Sequence, residues 1–505
     1  MRGASRLPLF AAVILALLSV GSAGAQTLKI GIAEDPDILD PVLDRTFVGG
    51  IVLSVMCDRL FETTPDKQIV PNLASAYSWS EDHKQLTLRL REGVRFQDGE
   101  PLDAAAVKFT IERDLSFPGS IRKSEFPPLD GIEVIDAGTV RIDLKAPFPP
   151  LIEVLANRSG IVLSPKGTAA LGPDGVGNHP PCVGPFKVAE RVAQDRIVLQ
   201  RTEGYWDAGR IKLDRIVFQP LPDSTVRIAN LRSGDLDLIE RVLPTDFIEL
   251  AKDPQILTAS ATPLGYQGLT INVGPNPRAQ TPLGRDVRVR QALELSIDRD
   301  AINQVIASGL YIPDNQFQPP DSPYHNADLP VPKRDLAEAK RLLAEAGAPH
   351  PSFTIMMGTA PLNVQLCQMI QAMAQEAGFD IKLQQTDFTT SLDAAHRGDY
   401  EMFQIGWSGF VDPDGNSFTL LHTGGANNFT QYSNPEVDAL FDQERATAST
   451  EERKAIYTKI EAIIARDRPI IYLYHPRWLW AFSKSVHGFR PASDGVIRIK
   501  DLSKS

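Results

Sequence analysis

Short apolar runs alternate along the chain with segments of helical periodicity. Several of the runs are apolar almost throughout, as expected for strands that are buried on both faces of a sheet. The runs typical of strands are LKIGIA (28–33), LTLRL (86–90), RIDL (141–144), RIVFQ (215–219), GLTINV (268–273), FTIMM (353–357), FDIKLQ (379–384) and IIYLYH (470–475). The alternation predicts an α/β protein.

The predicted helices begin at recognisable capping residues. Asp103 can cap a helix over 104–115, and Asn434 followed by Pro435 is a cap with proline at the first helical position. Thr450 can cap a further helix. The stretch from FTIMM to FDIKLQ encloses a helical pattern, which predicts a βαβ unit and a parallel sheet with helices on its faces. The proline-rich segment 313–332 predicts a long ordered loop or a crossover.

The N-terminus has the pattern of a signal peptide. Arg2 and Arg6 are followed by the apolar run LPLFAAVILALLSV and by a small-x-small site at 23–25. We predict cleavage after Ala25 and an exported, soluble mature chain. The alternative, a membrane anchor, is disfavoured because the run is short for a span and no basic cluster follows it. No Cys stands at the cleavage point, so we predict no lipid attachment.

Composition excludes some partners and leaves the cysteines open. The chain carries a formal net charge of −11 and has no basic stripe, which argues against nucleic acid and anionic membranes. Its 505 residues suggest two or three domains. Among Cys57, Cys182 and Cys367, a disulfide between the first two and three free buried thiols are both compatible with the sequence.

The stretch GWSGFVDPDGN (406–416) admits several chemical interpretations. Asp412, Asp414 and Asn416 alternate like the first three ligands of a calcium loop. Ser417 and Thr423, however, stand where that loop requires Gly and Glu, and a capped Asp-Pro turn also accounts for the acids. We predict no metal site here.

The sequence does not contain the catalytic motifs for which it was searched. GWSGF misses the nucleophile elbow GxSxG because Phe410 stands at the last Gly position. Neither HExxH nor GxxxxGK occurs in the chain. We therefore predict neither an enzyme nor a bound cofactor, and keep a secreted serine hydrolase that uses Ser408 as the outside alternative.

One long stretch, WSEDHKQLTLRLREGVRFQDGEPLDAAAVKFTIERDL (79–115), resembles the signature of the family 5 extracytoplasmic solute-binding proteins. These are the dipeptide-, oligopeptide- and nickel-binding receptors of ABC importers. Further segments match in the same order, and together they extend the resemblance over essentially all of 26–505. They are CVGPFKV (182–188), EGYWDAGRIKLDRIVFQPLPDSTVRIANLRSGDLDLIE (203–240), RDVRVRQALELSIDRDAI (285–302) and GWSGFVDPDGN (406–416).

The resemblance implies a periplasmic-binding-protein fold: two α/β lobes joined by two strand crossovers, with the ligand between them. The implied boundaries are 26–270 for lobe I with an extra subdomain over 61–185, 271–485 for lobe II, and 486–505 for a C-terminal return to lobe I. It also implies a monomeric periplasmic receptor that captures a peptide-like or other small polar solute. Its partners would be the transmembrane permease subunits of an ABC importer and, through them, the ATPase subunits.

Matching segment by segment, the resemblance implies a set of ligand-binding residues. Trp407 offers an apolar wall, and Ser408 and Gly409 offer hydroxyl and backbone groups. Core packing for Trp407, solvated charge for Arg122 and turn capping for Asp412 are the alternatives. The implied set is Arg45, Thr46, Phe47, Arg122, Tyr266, Thr359, Trp407, Ser408, Gly409, Phe410 and Asp412.

Two departures from dipeptide-binding members bear on the substrate. Phe410 stands where those members usually have an acid for the peptide amine, and 356–364 contains no Arg for the carboxylate. A buried charge needs a charged partner. We therefore predict that simple dipeptides bind weakly, and keep a nickel-chelate or haem receptor as the alternative within the same fold.

Overall fold

A computed structural model describes residues 26–505. The predicted signal peptide and its cleavage site lie outside the described residues. None of the helices within the described part is both long and apolar enough to cross a bilayer.

The first lobe is built on a seven-stranded mixed sheet. Its central strand, Thr27–Ile32, pairs in parallel with a strand on each side, and its side chains at Leu28, Ile30 and Ile32 are fully buried. In spatial order the strands are Ile256–Ala261, Trp478–Ser483, Leu238–Ile239, Thr27–Ile32, Arg215–Pro220, Arg196–Arg201 and Phe186–Val192.

The second lobe is built on a six-stranded sheet with its own apolar core. The predicted βαβ unit is confirmed: the strands Ser352–Met357 and Asp380–Gln385 pair in parallel and flank the helix Pro361–Gln375. In spatial order the strands are Ile312–Pro313, Ile470–His475, Tyr266–Ile271, Met402–Trp407, Ser352–Met357 and Asp380–Gln385.

The chain passes between the sheets twice, at 262–265 and at 476–477. The predicted lobe boundaries at 270/271 and 485/486 differ from these positions and are corrected here. The strand Tyr266–Ile271 already pairs within the second sheet, and Trp478–Ser483 pairs within the first. Both are apolar runs, and an apolar run does not reveal which of two sheets it joins.

The two crossovers touch one another through a buried histidine. His475, the last residue of its strand, places Nδ1 at 2.7 Å from the carbonyl oxygen of Gly265. Its Nε2 lies 3.0 Å from Asp314, which also pairs with His325. The connections between the lobes are therefore held in a defined mutual position.

A third apolar cluster runs from Leu60 to Val183 and forms a separate layer on the first lobe. Its four-stranded antiparallel sheet has the order Ala74–Trp79, Gln85–Leu90, Thr139–Leu144 and Leu129–Asp136. A disulfide joins Cys57 to Cys182 with a Cα–Cα distance of 5.6 Å, which resolves the open question of the cysteines. Cys367 is a free, buried thiol. Two two-stranded pairs complete the strands, Phe61–Thr63 with Ile69–Pro71 and Val486–His487 with Ser503–Lys504.

The helices cover both sheets. In the first lobe and its added layer they are Phe47–Met56, Ala104–Ser116, Leu151–Val154, Pro165–Val176, Ser224–Ser233 and Pro244–Leu250. In the second lobe they are Pro282–Arg285, Val287–Ser296, Arg299–Ala307, Leu336–Glu345, Pro361–Gln375, Phe388–Arg397, Asp414–Leu421, Pro435–Arg445 and Thr450–Asp467.

The capping predictions hold with one exception. Asp103 and Asn434 each accept a hydrogen bond from the first turn of their helix. Thr450 was the wrong cap: Ser449 accepts from Glu452 N, and Thr450 is the first helical residue. Ser and Thr are both good capping residues, so two adjacent hydroxyl residues leave the first residue of the helix uncertain by one position in a sequence-based prediction.

Candidate functional site

A cavity that is partly open to solvent lies between the two lobes. The first lobe contributes the helix Phe47–Met56 and the residues after it, the segment 153–158, and the C-terminal segment 494–500. The second lobe contributes only 408–411, and Leu264 of the first crossover closes the wall between them.

The position of the loop that follows Trp407 is a consequence of strand pairing. Met402–Trp407 runs antiparallel to Tyr266–Ile271, with Trp407 opposite Tyr266, so the loop emerges beside the first crossover. Gly409 has φ +89°, and a Cβ there would lie 2.2 Å from the carbonyl carbon of Leu264. The loop can reach the cavity only because glycine permits this close approach.

Ser408, Gly409 and Phe410 line the cavity, but Trp407 does not. The indole Nε1 of Trp407 donates to Gly415 O at 3.0 Å, and its ring packs against the second lobe's core. The side chain of Asn416 makes two hydrogen bonds to the backbone of Phe410. Its Oδ1 accepts from the Phe410 N–H at 2.7 Å, and its Nδ2 donates to the Phe410 carbonyl at 2.9 Å. Trp407 and Asn416 thus stabilise the conformation of the loop on the side that faces away from the cavity.

The acids of this loop are occupied by arginines. Asp412 makes a bidentate ion pair with Arg453 at 2.6 and 2.7 Å, and Asp414 lies 2.8 Å from Arg445. Because each acid turns to a different partner, they do not converge on a point where a cation could sit.

On the first lobe, the predicted residues 45–47 play three different parts. Arg45 pairs with Asp37 and also crosses to Asp393 of the second lobe at 2.9 Å. The Thr46 hydroxyl caps the helix Phe47–Met56 by accepting from Gly49 N. Of the three, only Phe47 lines the cavity, where its ring is stacked on Trp478 with centroids 4.5 Å apart.

Three other predicted residues lie away from the cavity. Arg122 is buried, pairs with Glu125 and donates to the carbonyl of Asp44 at 3.0 Å. Tyr266 packs edge-to-face on Tyr472, with ring centroids 4.7 Å apart. Thr359 is exposed, because its strand is one place further from the crossovers than Met402–Trp407.

Sequence reasoning missed the charged wall on the first lobe. Arg158 pairs with Asp44 at 2.6 Å, Arg498 pairs with Asp494 at 2.5 Å, and Lys500 lies 3.2 Å from Glu62. The pairs Arg158–Asp44 and Lys500–Glu62 join residues far apart in the chain, so no local motif marks them. Arg498 and Asp494 are four residues apart, but nothing in the C-terminal sequence indicates that this segment reaches the cavity. A partial signal existed in Arg59 and Asp58, two charges inside the apolar run 51–61.

Glu153 connects the lobes across the cavity. This buried carboxylate of the helix Leu151–Val154 accepts hydrogen bonds from the backbone N–H groups of Val411 and Asp412 in the second lobe. Burial, and next the charge of Asp412, raise the pKa of Glu153 to about 8, while the two backbone donors act more weakly in the opposite direction. The contact between the lobes is therefore coupled to a proton.

We expect the lobes to separate more easily as pH rises through about 8. A carboxyl group whose pKa is higher in the closed form than in the open form stabilises the closed form when it is protonated. This stabilisation is complete below the ordinary pKa of the group and is lost as pH rises through the raised pKa. A shift of one pKa unit corresponds to about a tenfold change in the equilibrium. Small-angle scattering of ligand-free protein between pH 5 and 9 should show the radius of gyration increasing. Glu153→Gln cannot titrate and should flatten this response; an unchanged response would assign it to other groups.

Comparison with known proteins agrees with this architecture. Residues 68–429 match the family model described as bacterial extracellular solute-binding proteins, family 5 Middle. The glutathione-binding protein GsiB of Pectobacterium atrosepticum is 27% identical over 509 residues, covering 97% of this chain and 96% of the relative.

Two solved structures are similar over most of the chain. The periplasmic binding protein DppA of Helicobacter pylori, in complex with the peptide STSA, superposes with a TM-score of 0.87 at 24% identity, covering 95% of this chain and 98% of that one. NikA of Staphylococcus aureus, in complex with Ni(L-His)2, superposes with a TM-score of 0.85 at 22% identity, covering 95% and 100%. At these sequence identities, the two similarities establish a shared fold.

Proposed function

Because this chain belongs to the bacterial extracellular solute-binding proteins of family 5, we propose that it is the periplasmic receptor of an ABC importer for a peptide-like or other small polar solute. The single observation that carries the proposal is the cavity between the lobes. Its wall combines aromatic rings with charged and amide side chains, as expected of a site that orients a small polar ligand.

The contacts between the lobes supply the mechanism. Glu153 with the 411–412 backbone, Arg45 with Asp393, and Arg445 over the ring of Phe148 at 4.5 Å all cross from one lobe to the other. A ligand shifts the equilibrium toward the closed form only through contacts that it makes better in that form. A solute that touches both Phe410 and the first lobe's wall meets this requirement.

The receptor binds its solute without transforming it. Among residues 26–505, the cavity lining includes Ser408 but no histidine that could activate its hydroxyl. A fluorophosphonate probe is accordingly expected to leave Ser408 unlabelled, and labelling would favour the hydrolase alternative.

Delivery requires export and a membrane partner. The exported receptor would act as an unlipidated monomer after cleavage behind Ala25, and N-terminal sequencing should begin at Gln26. It would dock on the transmembrane subunits of a permease, whose ATPase subunits supply the energy.

The function is tested by identifying the solute. Native mass spectrometry of gently purified protein should reveal a bound small molecule, and a thermal-shift screen should show stabilisation by reduced glutathione or related modified peptides. A ligand at about 100 times its dissociation constant stabilises by roughly 2.7 kcal/mol. Ala-Ala should stabilise far less, because position 410 is Phe and offers no acid for its ammonium group. In glutathione the ammonium is compensated by a carboxylate on the same carbon. Strong stabilisation by Ala-Ala would contradict the ligand preference, and the absence of any binder would contradict the function.

A further inference from the structure

Arg59 is the one cationic side chain of the cavity wall that lacks an acidic partner within residues 26–505. Arg158, Arg498 and Lys500 each lie within 4.0 Å of a carboxylate. No carboxylate of residues 26–505 lies within that distance of Arg59, and its Nε is buried without a hydrogen-bond partner among them. Arg59 as a whole is half-buried, and its buried Nε–H group has lost its hydration without gaining a replacement.

The backbone of Arg59 is fixed on both sides. It forms an antiparallel bridge with Ile161, and its carbonyl accepts from Leu73 N at 3.1 Å. The preceding residue, Asp58, accepts from the Tyr205 hydroxyl at 2.7 Å. The backbone from which the Arg59 side chain extends is therefore fixed before a ligand binds, so no backbone ordering is required there on binding.

The neighbouring acids are already occupied. Asp58 and Glu62 face Lys500, and Asp494 faces Arg498. The surrounding charge also favours an added anion: burial, and then the charge of Arg498, lower the pKa of Arg59 to about 10. A negative group bound beside Arg59 would offset both the cost of burying its charge and the repulsion from Arg498.

We propose that Arg59 is the specificity-determining residue that binds a carboxylate of the solute, in the fork geometry that guanidinium and carboxylate share. The proposal rests on the proposed function and narrows it to solutes that carry a free carboxylate. Phe410 lies on the opposite, second-lobe wall of the same cavity. The acidic end of the solute would therefore face the first lobe and a less polar part would face Phe410.

The first test needs no ligand. Arg59→Gln removes a half-buried charge that has no acidic partner among residues 26–505, so the melting temperature of the ligand-free variant should rise. Arg158→Gln is the matched control in the same cavity: it breaks a buried pair with Asp44 and should lower the melting temperature. The surface variant Arg89→Gln should change nothing, since that side chain is 71% exposed. A fall for Arg59→Gln would show a structural role and overturn the proposal.

The second test uses reduced glutathione against its diethyl ester, in which both carboxylates are blocked. By calorimetry, Arg59→Gln should weaken binding of the free acid about 30-fold or more, the effect of truncating one partner of a buried charge pair. The ester should bind weakly to wild type and variant alike, and Arg59→Lys should fall between. Equal affinity of wild type and Arg59→Gln for the acid would overturn the proposal.

The identity of a co-purified solute distinguishes failure of the Arg59 assignment from failure of the proposed receptor function. If native mass spectrometry reveals a bound solute without any carboxylate, or if inorganic phosphate binds more tightly than every carboxylate probe, the assignment of Arg59 fails while the receptor function stands. If neither a co-purified solute nor any probe binds, the receptor function itself fails.

Discussion

Replacing Arg453 by methionine is expected to lower the free energy of unfolding by about 3–5 kcal/mol, the usual cost of removing one partner from a buried ion pair. The side chain of Arg453 is 4% exposed and pairs with two carboxylates, Asp412 at 2.6 Å and Glu444 at 2.9 Å. Without it, both acids remain in a poorly hydrated region that also contains Asp414 and Glu153. Chemical denaturation is the measurement.

The loss should depend on pH in a defined direction. Burial already raises the pKa of Glu444 well above its ordinary value, and loss of the positive charge of Arg453 would raise it further. A raised pKa means that the folded variant takes up protons more readily. The destabilisation relative to wild type should therefore be larger at pH 8 than at pH 5.

Arg341→Met is the matched control for this experiment. Arg341 also pairs with two carboxylates, Glu338 and Glu345, but its side chain is 53% exposed. Exposed pairs contribute about 0–1 kcal/mol, so the control should remain close to wild type at both pH values. A loss at Arg453 no larger than at Arg341 would contradict the importance assigned to this network.

Reduction of the Cys57–Cys182 disulfide is expected to lower the free energy of unfolding by about 2–5 kcal/mol. The bridge joins residues 125 apart, so it restricts a large part of the unfolded chain. In the folded protein it connects the end of the helix Phe47–Met56 to the segment that enters the strand Phe186–Val192. Denaturation with and without a thiol reductant measures the effect.

The double variant Cys57→Ala/Cys182→Ala provides the control. It should reproduce the reduced wild type and should not respond to reductant, because the remaining Cys367 is free and buried. The disulfide lies within the first lobe, so unfolding of the second lobe should change least. Wild-type protein with the same stability in both redox states would show that the bridge does not form or does not constrain the chain.

The fold could be predicted where local patterns determine it. The runs at 28–33 and 470–475 became strands because a continuous apolar stretch can be buried only inside a layered sheet. The strands Met402–Trp407 and Trp478–Ser483 were not predicted. Gln404 interrupts the first, and only two residues separate the second from the strand Ile470–His475. The crossover positions depended on sheet membership, which is a property of long-range pairing.

The site was predictable only in part, for a physical reason. The cavity-lining position of 408–410 follows from a loop that starts at a strand end and contains Ser408 and Gly409. Whether a charge such as Arg45, Arg122 or Asp412 is free for a ligand depends on which opposite charges the fold brings to it. Each of these has a partner, whereas Arg59 has none among the described residues, and the sequence contains no record of that difference.

The contact of Glu153 with the second lobe has a consequence for how specificity can evolve. Glu153 is bound by main-chain N–H groups at 411 and 412, so this contribution to closure does not depend on the side chain of Val411. Mutations that reshape the cavity at Phe410 or Val411 can therefore accumulate while the closing contact persists. Recognition and closure are separable by mutation in this loop, and a change of solute does not require a new way of shutting the lobes.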